Sequence, residues 1–190
     1  MASLIASILD SDLAPSSILS FNAEPLLFAL INANHAVLKW GPPPKQGPTD
    51  VLDLVTSSIS YRKKTRVPYI FCHGLLNVPN SPRSQFFGDK LVFSETSYLQ
   101  LANTSFSWQS SAFIDIAMSQ SIVFIGVSLS DPNMRRWLSW LHANRINEIT
   151  EYGTMPSDAA IHYWINLDPQ SLPEKRWIES SVAHLGVRLV

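Results

Sequence analysis

Seven residues of this chain have types and positions that suit chemistry on a polar ligand. Asn22 follows the apolar run of residues 17–21 (SILSF), and His73 with Gly74 follows the run of residues 67–72 (VPYIFC). Gly126, Ser128 and Leu129 lie in the turn after the run of residues 122–125 (IVFI), and Asn166 ends IHYWI. An amide can orient a nucleophile, and a neutral imidazole can take a proton near pH 7. Glycines and hydroxyls let a ligand approach the backbone closely. Each residue also has a plain reading. Asn22 can open a helix as its N-cap. His73 can be a turn histidine, Asn166 a strand terminator, and the 126–130 turn an ordinary strand-to-helix corner. Their convergence at the ends of apolar runs is what carries weight, because open α/β sheets bind ligands at the carboxyl ends of their strands.

The elements that must position these groups follow from pattern. Residues 121–141 (SIVFIGVSLSDPNMRRWLSWL) combine a continuous apolar run, a glycine turn, and Asp131-Pro132 opening a helix. The run reads as a central strand buried on both faces. Asp131 suits the N-cap and Pro132 the first helical position, and Met134, Trp137, Leu138 and Leu141 share one helix face. Before it, the pattern predicts a helix over residues 2–13 with Leu4, Ile5, Ile8 and Leu9 on one face, a strand over 17–21, a helix over 24–33 and a strand over 36–39. GPPPKQGP at 41–48 is a loop, residues 50–60 fit strand or helix, and YRKKTR at 61–66 reads as a solvated basic turn. Strands over 67–72 and 90–93 follow, then a helix from Ser94 carrying Tyr98, Leu99 and Leu101, and a helix over 107–118. A loop near 152–157, a strand over 161–166, a helix over 173–185 stopped by Gly186, and a strand over 187–190 complete the chain. Alternating strands and helices predict an α/β, doubly wound, mainly parallel sheet.

Composition bounds the function classes. The 190 residues carry a net charge of −1 without a block of like charge, so nothing points to nucleic acid or an anionic membrane. The single cysteine, Cys72, excludes an internal disulfide and a cysteine-based zinc cluster. No apolar stretch is long enough to span a membrane and the start is a poor signal peptide, so a soluble cytoplasmic protein is expected. The chain is 46% hydrophobic and only 15% charged, with six tryptophans, which predicts that part of its surface meets another domain, a subunit or a second copy.

These motifs, in order, resemble sirtuin-like NAD-consuming domains. ILSFNAEPLL (18–27) looks like the family's strand-Asn-Tyr-Asp-helix element, and FCHG (71–74) like its strand ending in His-Gly. LVFSETSYLQL (91–101) is similar to the next strand and its tyrosine-bearing helix. FIGVSLSDPNMRRWL (124–138) resembles the Gly-(Tyr or Thr)-Ser-Leu-x-Asp-Pro element, and IHYWIN (161–166) fits the strand whose terminal asparagine meets the adenosine ribose. The match is closer to the defence-type NADase branch (antiviral defence) than to protein deacylases, whose four zinc-binding cysteines are absent.

The resemblance implies a Rossmann-like fold and an NAD+ glycohydrolase, with NAD as substrate and no metal. Asn22 would match the asparagine that positions the nicotinamide ribose and the attacking water, and His73 the general base. Gly126, Ser128 and Leu129 would pack against ribose and phosphates, and Asn166 would meet the adenosine ribose. Two departures stand out. The family's glycine-rich pyrophosphate turn and first strand have no counterpart in these residues, so the resemblance implies a single domain over 1–190 that is incomplete at its N-terminus and weak toward NAD by itself. Asn-Tyr-Asp reads Asn22-Ala23-Glu24. The alternatives are a catalytically degenerate interaction module and, below it, an NAD-dependent deacylase.

Overall fold

A computed structural model describes residues 1–40, 50–62, 64–76, 107–153, 159–166 and 171–190. The proline-rich loop at 41–48, the strand expected at 90–93 and the helix expected from Ser94 lie outside the described residues. The chain divides into two compact units, Met1–Gln109 and Ser110–Val190. Both are built on parallel strands flanked by helices, the α/β arrangement of Rossmann-like folds.

In the first unit, α1 (Ala2–Ile8), β1 (Ile18–Ser20), α2 (Leu26–Trp40), β2 (Leu52–Val55), α3 (Ser58–Arg62) and β3 (Val67–Phe71) follow one another. The sheet order is β1-β3-β2, with Ser20 opposite Phe71 and Val55 opposite Ile70. Its core gathers Ala6, Leu9, Phe28, Ile31, Leu52, Tyr69, Phe71 and Leu75. Phe28 meets Tyr69 edge-on at 5.4 Å between ring centroids, a favoured aromatic geometry. α1 is shorter than the predicted 2–13 helix, and Leu4 faces solvent rather than the core.

The strand expected at 36–39 is instead the last turn of α2. Phe28, Ile31, Asn32, His35 and Ala36 are buried, and their spacing is that of one helix face. Asn32 fixes the helix to the sheet: its Nδ2 donates to the Phe28 carbonyl at 3.0 Å, and its Oδ1 accepts from Val51 N at 2.8 Å. His35 Nε2 and Lys39 Nζ, one turn apart, both reach Asp10 Oδ2, at 3.0 and 2.9 Å. The Lys39 and His35 hydrogen bonds hold the Asp10 carboxyl below the usual range. Residues 50–60 resolve into β2 and α3, joined by reciprocal Ser57–Ser60 hydrogen bonds. The basic segment is no free turn, because the Thr65 and Arg66 amides both donate to the Asp53 carboxylate.

The second unit holds α4 (Trp108–Ser119, which begins at the boundary), β4 (Val123–Ile125), α5 (Pro132–Glu151), β5 (His162–Ile165), α6 (Leu172–Ala183) and β6 (Val187–Leu189). Its strands run parallel in the order β4-β5-β6. Phe113 of α4 meets Trp137 of α5 at 5.5 Å, beside buried Met134 and Leu138. Asp131 caps α5 as expected, accepting from Asn133 N at 2.8 Å and Met134 N at 3.0 Å. β4 is not buried on both faces. Phe124 and Trp164 point into the core, while Val123, Ile125, Tyr163 and Ile165 are 52, 41, 37 and 46% exposed. An apolar run does not encode which face is covered; the two-residue pleat separates the two sets.

Candidate functional site

Asn22 and His73 stand at corresponding places on neighbouring strands. β1 and β3 are parallel with Ser20 opposite Phe71, and each residue lies two positions beyond its strand's carboxyl end. The ladder continues past the strands, since Cys72 N donates to the Ser20 carbonyl at 2.8 Å and Leu76 N to the Ala23 carbonyl at 2.8 Å. The two departing chains are thus tied together on both sides of the pair. Phe21 packs edge-on against the His73 ring at 5.3 Å. Gly74, at φ +80°, turns the chain immediately after the histidine, in the left-handed region that glycine adopts without strain.

Asn22 is not the cap of α2. Its Oδ1 accepts from Glu24 N at 3.2 Å, closing a local turn, and α2 starts later, at Leu26. Ser20 supports that turn from below: its Oγ donates to the Asn22 carbonyl at 2.9 Å and accepts from Asn22 N at 3.2 Å. Sequence reasoning passed over Ser20, which looked like one more strand residue. Tyr69 lies fully buried beneath the same edge. Burial chiefly, and then the Glu24 charge, push its phenol above the usual value despite a Ser20 hydrogen bond that lowers it.

In the second unit, Ile125 pairs with Ile165, so Gly126 and Asn166 leave adjacent strands side by side. Gly126 has φ +67°, and a Cβ built on it meets nothing within 4 Å. The glycine is therefore demanded by the backbone, and the space above it is open to a ligand group. The Ser128 and Ser130 hydroxyls lie exposed, 2.6 Å apart. Leu129 is only 1% exposed and adopts φ +52°, a conformation costly for a leucine. Its side chain supports the turn from inside rather than facing a ligand.

Two side chains hold this turn by its carbonyls. Trp164 Nε1 donates to the Val127 carbonyl at 2.9 Å, and an Arg135 guanidinium nitrogen donates to the Leu129 carbonyl at 3.0 Å. The second terminal nitrogen of Arg135 donates to the Ser181 carbonyl at 3.1 Å and lies 3.2 Å from His184 Nε2. Neither anchor was legible from composition or spacing. Arg135 reads as a solvent-facing helix residue until α6, far along the chain, is placed beside it.

Asn22 and His73 thus belong to one strand edge of the first unit, and Gly126, Ser128 and Asn166 to one strand edge of the second. Glycine conformation, open space and hydroxyls suit a ribose or phosphate at the second edge; amide and imidazole suit bond-breaking chemistry at the first. No curated protein sequence matches the chain. The profile of the SIR2-like domain matches residues 42–182, which takes in His73, the 126–130 turn and Asn166. The chain belongs to the SIR2-like domain family.

Proposed function

We propose that this SIR2-like domain binds NAD and hydrolyses its nicotinamide–ribose bond. The observation that carries the reading is the pairing of Asn22 and His73 beyond the joined ends of β1 and β3. The C–N bond breaks with its electron pair going to the pyridinium nitrogen, which becomes neutral nicotinamide. Water adds to the ribose carbon, and its proton passes to His73. Asn22 orients that water and the ribose. The pyridinium is already a good leaving group, so a base and an orienting amide meet the need without a strong acid. At the strand edge of the second unit, Gly126, Ser128 and Asn166 offer the open backbone, hydroxyl and amide that suit a ribose or phosphate, with Leu129 shaping the turn from within.

A second reading has an observation of its own. Ala23-Glu24 departs from the family's Tyr-Asp, and one face of the β4-β5-β6 sheet exposes four apolar side chains. Both favour a degenerate module whose sheet face meets another domain or subunit. The test is nicotinamide release from NAD by the purified protein, with and without an acyl-lysine peptide. Release without peptide supports hydrolysis, release only with peptide supports a deacylase, and NAD binding without release supports the degenerate module. Any antiviral role is part of this proposal and follows only if hydrolysis is found.

A further inference from the structure

We infer that Arg135 is a positioning residue for the 126–130 turn, locking it to α6 in the shape that receives the nucleotide. The inference rests on the reading that this turn meets NAD. The turn holds a leucine in the left-handed region, which a free loop of this composition would leave for a relaxed conformation. Burial of the Leu129 side chain opposes that relaxation. So does the guanidinium, which grips the Leu129 carbonyl on one side and the Ser181 carbonyl on the other.

Arg135 is suited to this by its planar fork, which presents two terminal nitrogens in fixed relation. Two of its partners are carbonyl oxygens and the third is the His184 ring nitrogen, so among the described residues the charge meets backbone and imidazole rather than a carboxylate. The N-terminus of α5 adds nothing to ligand binding here, because the Asp131 carboxylate already takes the Asn133 and Met134 amides. The ligand-facing groups of the turn are then the Gly126 backbone and the Ser128 and Ser130 hydroxyls. Their spacing depends on Leu129 staying left-handed. Arg135 reaches the turn from α5 through the Leu129 carbonyl, in a partly buried contact.

The test uses the whole chain with Arg135→Ala and Arg135→Lys, and two readouts. Amide hydrogen exchange over residues 127–131 should quicken by about 10-fold in Arg135→Ala, the scale of one lost charge-assisted hydrogen bond, with β5 and β6 unchanged. The KM for NAD should rise by about 10-fold while kcat stays within about 2-fold, because a misplaced turn weakens binding and leaves Asn22 and His73 untouched. Arg135→Lys reaches one carbonyl but not both and should fall between. Unchanged exchange in the turn, or a KM equal to wild type, overturns the inference. If the wild-type protein neither binds nor cleaves NAD, the functional reading fails by itself, and the exchange measurement still decides whether Arg135 holds the turn. Should Arg135→Ala fail to fold, the same measurements on Arg135→Lys decide.

Discussion

The Cys72 amide donates to the Ser20 carbonyl at 2.8 Å, one step beyond the last paired residues of β1 and β3. This hydrogen bond keeps the two strands parallel until the residues that follow are Asn22 and His73. Adjacent parallel strands lie about 4.8 Å apart, so the side chains beyond such a joint can reach a single small ligand. If the protein hydrolyses NAD, Asn22→Ala and His73→Ala should each lower turnover by at least about 100-fold. Both residues lie outside the core cluster, so stability should fall by no more than about 1 kcal/mol, the net worth of one hydrogen bond such as that from Glu24 N to Asn22 Oδ1. A well-folded His73→Ala protein with near-normal turnover would remove histidine from the mechanism.

Ser20 offers a graded version of the same test. Its hydroxyl both donates to the Asn22 carbonyl and accepts from the Asn22 amide, and the side chain is buried. Ser20→Ala should cost about 1 kcal/mol of stability, the usual net worth of such hydrogen bonds. Turnover should fall less than in Asn22→Ala, because the amide is present but less well held. Urea unfolding alongside nicotinamide release would check both halves.

Gly126→Ala separates strain from occlusion. The substitution meets no neighbouring atom, so its stability cost should be that of a left-handed alanine alone, about 1–2 kcal/mol. The new methyl stands in the open space above the turn, so if the protein hydrolyses NAD and this turn meets it, the KM for NAD should rise. A stability loss without any change in KM would show that no ligand group approaches this glycine.

How much of this was legible in the sequence depends on how local each feature is. The Asp131 cap and the Pro132 start of α5 are written in neighbouring residues and stand as read, while the strands expected over 17–21 and 67–72 end one residue earlier, at Ser20 and Phe71. The end of α2 was misread because Ala36 to Lys39 is apolar enough for a strand. Only the longer spacing from Phe28 to Ala36 reveals the helix face. The exposed face of β4 was not legible at all, since Val123 and Ile125 are as apolar as Phe124. The supports of the candidate site were hidden for a similar reason: Trp164 is 37 residues from Val127, and Arg135 is 46 from Ser181. Such pairs form only once the strands and helices are packed.

Two glycines of the second unit give a matched pair. Gly153 and Gly186 have φ +71° and +69°, so alanine meets the same backbone strain at both. A Cβ at Gly153 meets nothing within 4 Å, whereas one at Gly186 falls 2.7 Å from His142 Nδ1. Gly186→Ala should therefore destabilise by about 1–3 kcal/mol more than Gly153→Ala, the cost of overpacking added to strain. Equal unfolding midpoints for the two variants would mean that His142 swings aside freely.

The last prediction concerns acid. His162 is 1% exposed, and its Nδ1 accepts the Ile122 amide at 3.2 Å, so the folded state requires that nitrogen unprotonated. Burial chiefly, helped by the Arg145 and His142 charges, pushes its pKa down to about 4 from the ordinary 6.5. In the unfolded chain the ring titrates near 6.5, so below that pH the unfolded state binds a proton that the folded state refuses. The stability from this residue is complete above about pH 6.5 and drains away as the pH falls. The loss ends near pH 4, where the folded state protonates as well. At about 1.4 kcal/mol per pH unit the loss is on the order of 3 kcal/mol. His162→Asn keeps an acceptor for the Ile122 amide and removes the titration. Its stability deficit against wild type, followed by urea unfolding, should shrink between pH 6.5 and 4. A deficit that stays constant across that window would show that His162 folds with its proton already in place.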